Sequence, residues 1–395
     1  MEAHLQLWGS LLLRWLHFIA GVAWIGASFY FNWLENHLRR SEPADGQTGD
    51  LWAVHGGGFY HVRKFAAPPH GLPPELHWFK WEAYTTWLSG MALLVIVYYW
   101  NGATLLLDPS VSGIGRSQAI AIGLGTIVVS WFVYDIACRS PLGRHEVALT
   151  AGMLAWFLVL AWLLAQALSG RAAYVHVGAA AGSIMVANVF RVIIPAQRML
   201  VRAAAGGPAP DPNIGPRALQ RSRHNNYFTL PVLFLMISSH YPATYGHAHA
   251  WAVLGLLALA GLAIRHYFNI RHRPGARAWP LIPAALLLSA GIWLSAPPAP
   301  RQATDAASLG QAYAVVARRC GACHSARPAQ DGFEQAPMGI ELDDEAALLR
   351  HAERVYGASV LTRSMPPGNV SGMTDAERSL LAAWYATTLA QPTRR

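Results

Sequence analysis

The most definite chemistry in the sequence lies near its C-terminus, where Cys320-Gly321-Ala322-Cys323-His324 places two thiols three residues apart with an imidazole directly after. At this spacing both sulfurs can bond the vinyl groups of one porphyrin while the histidine ligates its iron from one face, the pattern of covalent haem c attachment. A bare Cys pair would also suit a redox dithiol or half a zinc site. The only other cysteine is Cys138, so there is neither a second pair nor a disulfide framework, and Cys138 itself reads as a small buried residue. Haem c is therefore expected on Cys320, Cys323 and His324. A second axial ligand is expected from Met365, in the stiff run Ser364-Met365-Pro366-Pro367, and a Met ligand would raise the potential as an electron acceptor requires. Met338 and Met373 compete for that role and otherwise read as packing residues.

Two further constellations lie in apolar surroundings, where a charged group at a helix centre costs about 2.5–3.5 kcal/mol on insertion scales. Arg14, His17, Gly21, Trp24 and Ser28 follow helical spacing and share one face. With His176, His240 and His249, His17 makes four histidines near one side of the membrane. Two of the four facing each other would hold a haem b, with Arg14 paired to a propionate; singly, each reads as an interhelical hydrogen-bonder. The other constellation comprises His55-Gly-Gly-Gly-Phe-Tyr-His61, His77-Trp-Phe-Lys-Trp-Glu-Ala-Tyr84 and His224-Asn-Asn-Tyr-Phe-Thr-Leu-Pro231. Its Asn, His, Thr and Lys side chains with flanking aromatics suit a flat, anionic, hydrogen-bonding heterocycle. Interfacial anchoring accounts for Trp78 and Trp81 but not for Asn225 and Asn226. Gly56 to Gly58 is no phosphate loop, because no Gly-Lys-Ser/Thr follows.

The elements that position these groups follow from composition. The chain has 395 residues, 53% hydrophobic and 13% charged, which excludes an ordinary soluble protein and intrinsic disorder. A span needs about 20 apolar residues, and eight stretches qualify: 7–34, 83–100, 117–137, 146–168, 172–195, 224–241, 249–268 and 280–296. Lys and Arg concentrate after the odd-numbered spans, which places those loops in the cytoplasm and both termini outside, in the periplasm of a Gram-negative host. The fold expected is all-α: a polytopic helix bundle of about eight spans over 1–296, a Pro-rich tether at 297–303, and a class I cytochrome c-like domain over 304–395, its helices near 309–316, 345–356 and 375–389. The net charge of +9 belongs to the bundle, since residues 301–395 hold ten Lys+Arg and ten Asp+Glu. It is a topology signal, and nucleic acid is not an expected partner. Gly178 to Gly182 offers a Gly-x-x-x-Gly face for close packing or a homodimer.

The segments Leu13 to Tyr30, Val54 to His61, His77 to Tyr84, His224 to Pro231 and Cys320 to His324, in this order, resemble the membrane-bound urate oxidase (urate hydroxylase) family, PuuD, of bacterial purine breakdown. The resemblance implies an inner-membrane enzyme that oxidises urate to 5-hydroxyisourate and passes electrons through haem c to a downstream carrier instead of to dioxygen. It carries over no catalytic residues. The chemistry of the inner face suggests His224 or His77 as general base, Lys80 or Arg191 for the negative charge of urate, and Asn225 and Asn226 for its polar edge. A non-catalytic membrane anchor for a cytochrome is the alternative, although an anchor needs one span. A haem-copper oxidase would need a multi-His copper site that the sequence lacks.

Overall fold

The computed structural model describes residues 2–39, 47–65, 71–100, 103–246, 249–272, 275, 277–296, 307–330 and 335–390. In chain order the elements are α1 (Glu2–His37), β1 (Gln47–His55), β2 (Gly58–Phe65), α2 (Trp81–Leu94, continued by a π-turn over Val95–Trp100), α3 (Ala103–Leu106), α4 (Arg116–Arg139), α5 (Glu146–Ala165), α6 (Gly170–Asn188, followed by a π-turn over Val189–Ile193), α7 (Ile194–Ala204), α8 (Ile214–Ser238), α9 (Pro242–Tyr245), α10 (Ala250–Ile270), α11 (Leu281–Leu294), α12 (Leu309–Arg319), α13 (Glu345–Arg350), α14 (Ala352–Tyr356) and α15 (Asp375–Ala390). The protein is mostly helical.

A helix stands at each of the eight apolar stretches. Five helical segments are long and apolar enough to cross a membrane: His4–His37, Arg116–Arg139, Glu146–Ala165, Gly170–Ala204 and Ala250–Ile270. The other three differ for visible reasons. The regular part of α2 gives way to its π-turn, α11 is short, and the first half of α8 is polar, with Arg217, Gln220, Arg221, Arg223 and His224 ahead of its apolar half. The Pro-rich tether lies outside the described residues.

Within the bundle α6 is the central helix, packed by α4, α5 and α8, with α10 on the far side of α8. Small residues explain this position, because Ala172, Ala173, Ala180 and Ala181 let neighbouring backbones approach. A Cβ on Gly178 would lie 2.8 Å from Met236 Cε and 3.0 Å from Leu235 Cβ, so the first glycine of the Gly-x-x-x-Gly run is used within the chain, against α8. Helix α1 sits at the edge, packed chiefly on α2, and presents most of its apolar side chains outward.

One element departs from the all-α expectation: β1 and β2 form an antiparallel hairpin in the loop after α1. Gly56 (φ 58°) and Gly57 (φ 80°) take the left-handed conformations that a tight two-residue turn needs. Lys64 pairs with Glu35 at 2.6 Å and ties the hairpin to the end of α1.

Helices α12 to α15 form a separate small core around Val316, Leu348, Leu381 and Trp384, with α12 packed on α15. Against the membrane part, its turn at Pro367–Asn369 packs on α3, and the Thr362 carbonyl lies where a Cβ on Gly246 would be. Both contacts fall at the end of the bundle where α2 finishes and α10 begins.

Candidate functional site

At the end of the bundle where α1, α4, α6 and α10 finish, side chains of these helices and of α8 form a buried polar network in two halves that meet at the adjacent positions Asn225 and Asn226 of α8. Its first half runs from Asp135 to His224. Arg221 Nη2 donates to Asp135 Oδ1 at 2.8 Å, and Nη1 donates to Asn188 Oδ1 at 3.3 Å. The Asn188 amide nitrogen donates to Asn225 Oδ1 at 2.8 Å and to the Tyr134 hydroxyl oxygen at 3.0 Å. Tyr134 in turn lies 2.8 Å from His224 Nδ1, while Asn225 Nδ2 donates to the Met185 carbonyl at 2.9 Å. Because Arg can only donate, the direction of the chain is set. Asn188 must present its oxygen to Arg221, so its amide nitrogen is the donor to Tyr134, whose hydroxyl also hydrogen-bonds His224 Nδ1.

The second half centres on Asn226, the next residue of α8. Its Oδ1 accepts from Arg265 Nε at 2.9 Å, Asn269 Nδ2 at 2.9 Å and Asn32 Nδ2 at 3.1 Å. Three donors on one oxygen fix the orientation of the amide, and its Nδ2, in a residue only 1% exposed, has no protein partner. Asn32 also donates to Asn269 Oδ1 at 2.6 Å. The guanidinium of Arg265 lies 3.9 Å over the Phe29 ring. Beside this cluster is a cavity of about 220 Å³ lined by residues of α1 and α10, Asn32, Asn36, Arg265 and Asn269 among them.

Of the residues singled out in the sequence, His224, Asn225 and Asn226 are joined in this network. His77, Lys80 and Arg191 are not. His77 is exposed and packs edge-on to Phe79, Lys80 lies 5.7 Å over Trp81, and Arg191 is exposed in the π-turn after α6. His61 stacks on Trp52 in the hairpin and meets Asp50 at 2.8 Å. Sequence reasoning missed Asn32, Tyr134, Asp135, Asn188, Arg221, Arg265 and Asn269. Polar residues at the inner ends of otherwise apolar helices were the signal that could have found them.

At the outer end, His17 Nδ1 meets the Thr86 carbonyl at 2.9 Å and Ser89 Oγ at 3.2 Å. His176 is fully buried and uses both nitrogens, Nδ1 on the Ala172 carbonyl at 2.8 Å and Nε2 on the Tyr99 hydroxyl at 2.8 Å. His240 and His249 are exposed at the outer ends of α8 and α10, and Arg14 is exposed, bonded to Ser10 Oγ at 3.1 Å. His176 is an interhelical hydrogen-bonder, bonded to Tyr99 of the π-turn after α2, whereas His17 bonds α2 itself at Thr86 and Ser89.

In the C-terminal unit, His324 Nδ1 meets the Ile340 carbonyl at 2.9 Å, which puts its proton on Nδ1 and leaves the Nε2 lone pair for a metal. Burial pushes the Cys320 thiol up to about 11, helped by Cys323, whose own thiol burial also raises; a redox dithiol needs the opposite shift. Met365 is half-buried, its carbonyl held by Arg378 Nη1 at 3.1 Å, and Arg378 also holds Ser359 O and Asn369 Oδ1. Met338 is 88% exposed and Met373 is buried in the core, so neither competes with Met365. These residues fit haem c.

Fold and site together define a mostly helical protein with five helical segments long and apolar enough to cross a membrane, a buried amide, arginine and histidine network at one end of the bundle and a small helical unit docked at the other. Residues 3–296 match the family model described as urate oxidase N-terminal, and the chain belongs to that family. No curated protein and no solved structure matches it significantly.

Proposed function

We propose that the chain is a membrane-bound urate oxidoreductase of purine breakdown whose electrons leave through haem c. The observation that carries this reading is the union, in one chain, of a urate-oxidase-family bundle over residues 3–296 with a Cys320-Cys323-His324 attachment site whose histidine is already fixed with Nε2 free. Urate and one water give 5-hydroxyisourate, two protons and two electrons. Haem c, held by Cys320, Cys323, His324 and Met365, would accept those electrons one at a time, for delivery to a one-electron carrier outside the membrane.

The chain's own residues handle the protons. A base is needed for the ring N–H and for water. His224 Nδ1 and the Tyr134 hydroxyl, hydrogen-bonded at 2.8 Å, would work as a pair, oriented by the Asn188 amide on the Tyr134 oxygen. Arg221 and Asp135 hold Asn188 in place. These groups lie at the end of the bundle to which the basic loops assign the cytoplasm, so substrate would be oxidised inside and electrons delivered outside.

The test is anaerobic addition of urate to purified membranes. Reduction of the haem c bands, with 5-hydroxyisourate appearing, supports the enzyme. A haem that dithionite reduces and urate does not would support the anchored electron-transfer alternative instead.

A further inference from the structure

The cavity between α1 and α10 is lined by Arg265, and three of its lining residues, Asn32, Arg265 and Asn269, donate to Asn226 behind the wall, so groups that are expensive to bury meet at its edge. Arg265, 7% exposed, forms no ion pair with a carboxylate among the described residues. A buried guanidinium without a counter-charge is unfavourable, and all the more so within a bilayer. Asn226 Nδ2 is likewise buried without a partner. Neither group can be relieved by turning the Asn226 amide, because its oxygen already serves Arg265, Asn269 and Asn32. What the cluster lacks is a negatively charged acceptor.

The shape narrows the ligand. Phe29, Trp33 and Phe268 supply apolar faces, and Asn32, Asn36, His37, Arg265, Asn269 and Arg271 form the polar wall, in which Arg265 is the buried cation and Arg271 the exposed one. At about 220 Å³ the cavity falls below the roughly 300–1,000 Å³ of sites for drug-sized ligands, which suits a bicyclic molecule better than a nucleotide. A planar oxopurine monoanion matches every term: flat faces for the rings, a carbonyl-rich edge for donors, and one negative charge for Arg265.

We infer that this cavity binds the urate anion, with Arg265 as the charge-recognising residue and the Asn226-centred amides reading its carbonyl edge. The inference rests on the urate reading above and assigns to Arg265 the anion-holding role that the sequence suggested for Lys80 or Arg191. Asn225 and Asn226 are adjacent on α8, so the cavity cluster and the Tyr134–His224 cluster lie at the same level of that helix.

The test uses the full chain in detergent or nanodiscs and measures urate binding by calorimetry beside urate turnover. Arg265→Gln should weaken urate binding roughly tenfold or more, as expected for loss of a charge-assisted contact, while Lys80→Gln and Arg191→Gln leave it unchanged. Arg265→Lys should recover part of the loss. Should Arg265→Gln fail to fold, Asn36→Cys places a thiol on the cavity wall, and urate should slow its alkylation. Unchanged affinity in a folded Arg265→Gln variant, or alkylation of the Asn36→Cys variant indifferent to urate, would overturn the cavity assignment while wild-type turnover kept the urate reading intact. A wild-type chain that neither binds nor oxidises urate would overturn both.

Discussion

The Tyr134 hydroxyl and His224 Nδ1 are hydrogen-bonded across 2.8 Å, so the imidazole on α8 is tied to a tyrosine on α4. Tyr134→Phe leaves Nδ1 without its partner and one Asn188 N–H without its acceptor. The expected cost is about 1–3 kcal/mol of stability, together with a fall in urate turnover at unchanged haem c spectrum. His224→Ala should abolish turnover. Steady-state kinetics of both variants check this, and normal rates in Tyr134→Phe would remove the pair from the reaction.

Arg221 is buried and depends on Asp135 for its counter-charge. Replacing Asp135 by Ala leaves the guanidinium uncompensated, and about 3–5 kcal/mol should be lost. The double variant Asp135→Ala with Arg221→Met should be more stable than Asp135→Ala alone. Thermal inactivation of the solubilised protein would rank the three chains; equal loss in the single and double variants would show that the pair is not coupled.

Gly123 makes room for the Tyr99–His176 bond. A Cβ there would come within 2.6 Å of the Tyr99 hydroxyl and collide with His176 Nε2. Gly123→Ala should therefore lower the yield of folded protein, whereas alanine at Gly125, where nothing lies within 4 Å, should be tolerated. Size-exclusion profiles of the two variants give the comparison.

How much of this was legible in the sequence depended on whether a signal was local. Apolar length placed a helix at all eight stretches, and periodicity placed α12, α13 with α14, and α15, because burial imposes those patterns residue by residue. The hairpin was missed although Leu51 to His55 and Phe59 to Val62 flank Gly56-Gly57, a turn signal that the glycine-rich reading absorbed. Asn225 and Asn226 stood out because anchoring does not explain them. Asn32, Arg265 and Asn269 did not, since only the packing of α1 and α10 beside α8 brings them to Asn226. Lys80 and Arg191 looked equivalent to Arg265 by charge alone; which cation is buried is a tertiary property. His176 drew attention as a buried polar residue, and its partner Tyr99 lay on another helix.

Acid sensitivity of the C-terminal unit should trace to Glu377. Burial alone would raise its carboxyl, but the Thr374 amide at 2.8 Å and Arg319 at 3.0 Å outweigh that and hold it below the usual range. A depressed folded-state value means that its contribution is full above the unfolded value near 4.5 and disappears as pH falls through the folded one. Glu377→Gln should therefore speed hydrogen exchange in α12 and α15 at neutral pH, with the difference from wild type shrinking in acid. A difference independent of pH would assign the effect to the helix cap at Thr374 instead.

The docking of the turn at Pro367–Asn369 on α3, with Thr362 against Gly246, makes the encounter between the two parts of the chain intramolecular. A short linker sets an effective concentration on the order of millimolar. A free partner competing for the same surface would have to exceed that, so it would have to approach the C-terminal unit from another side. Fusion thus divides the labour of that unit's surface: one face is committed to the bundle, and the rest stays open to other molecules.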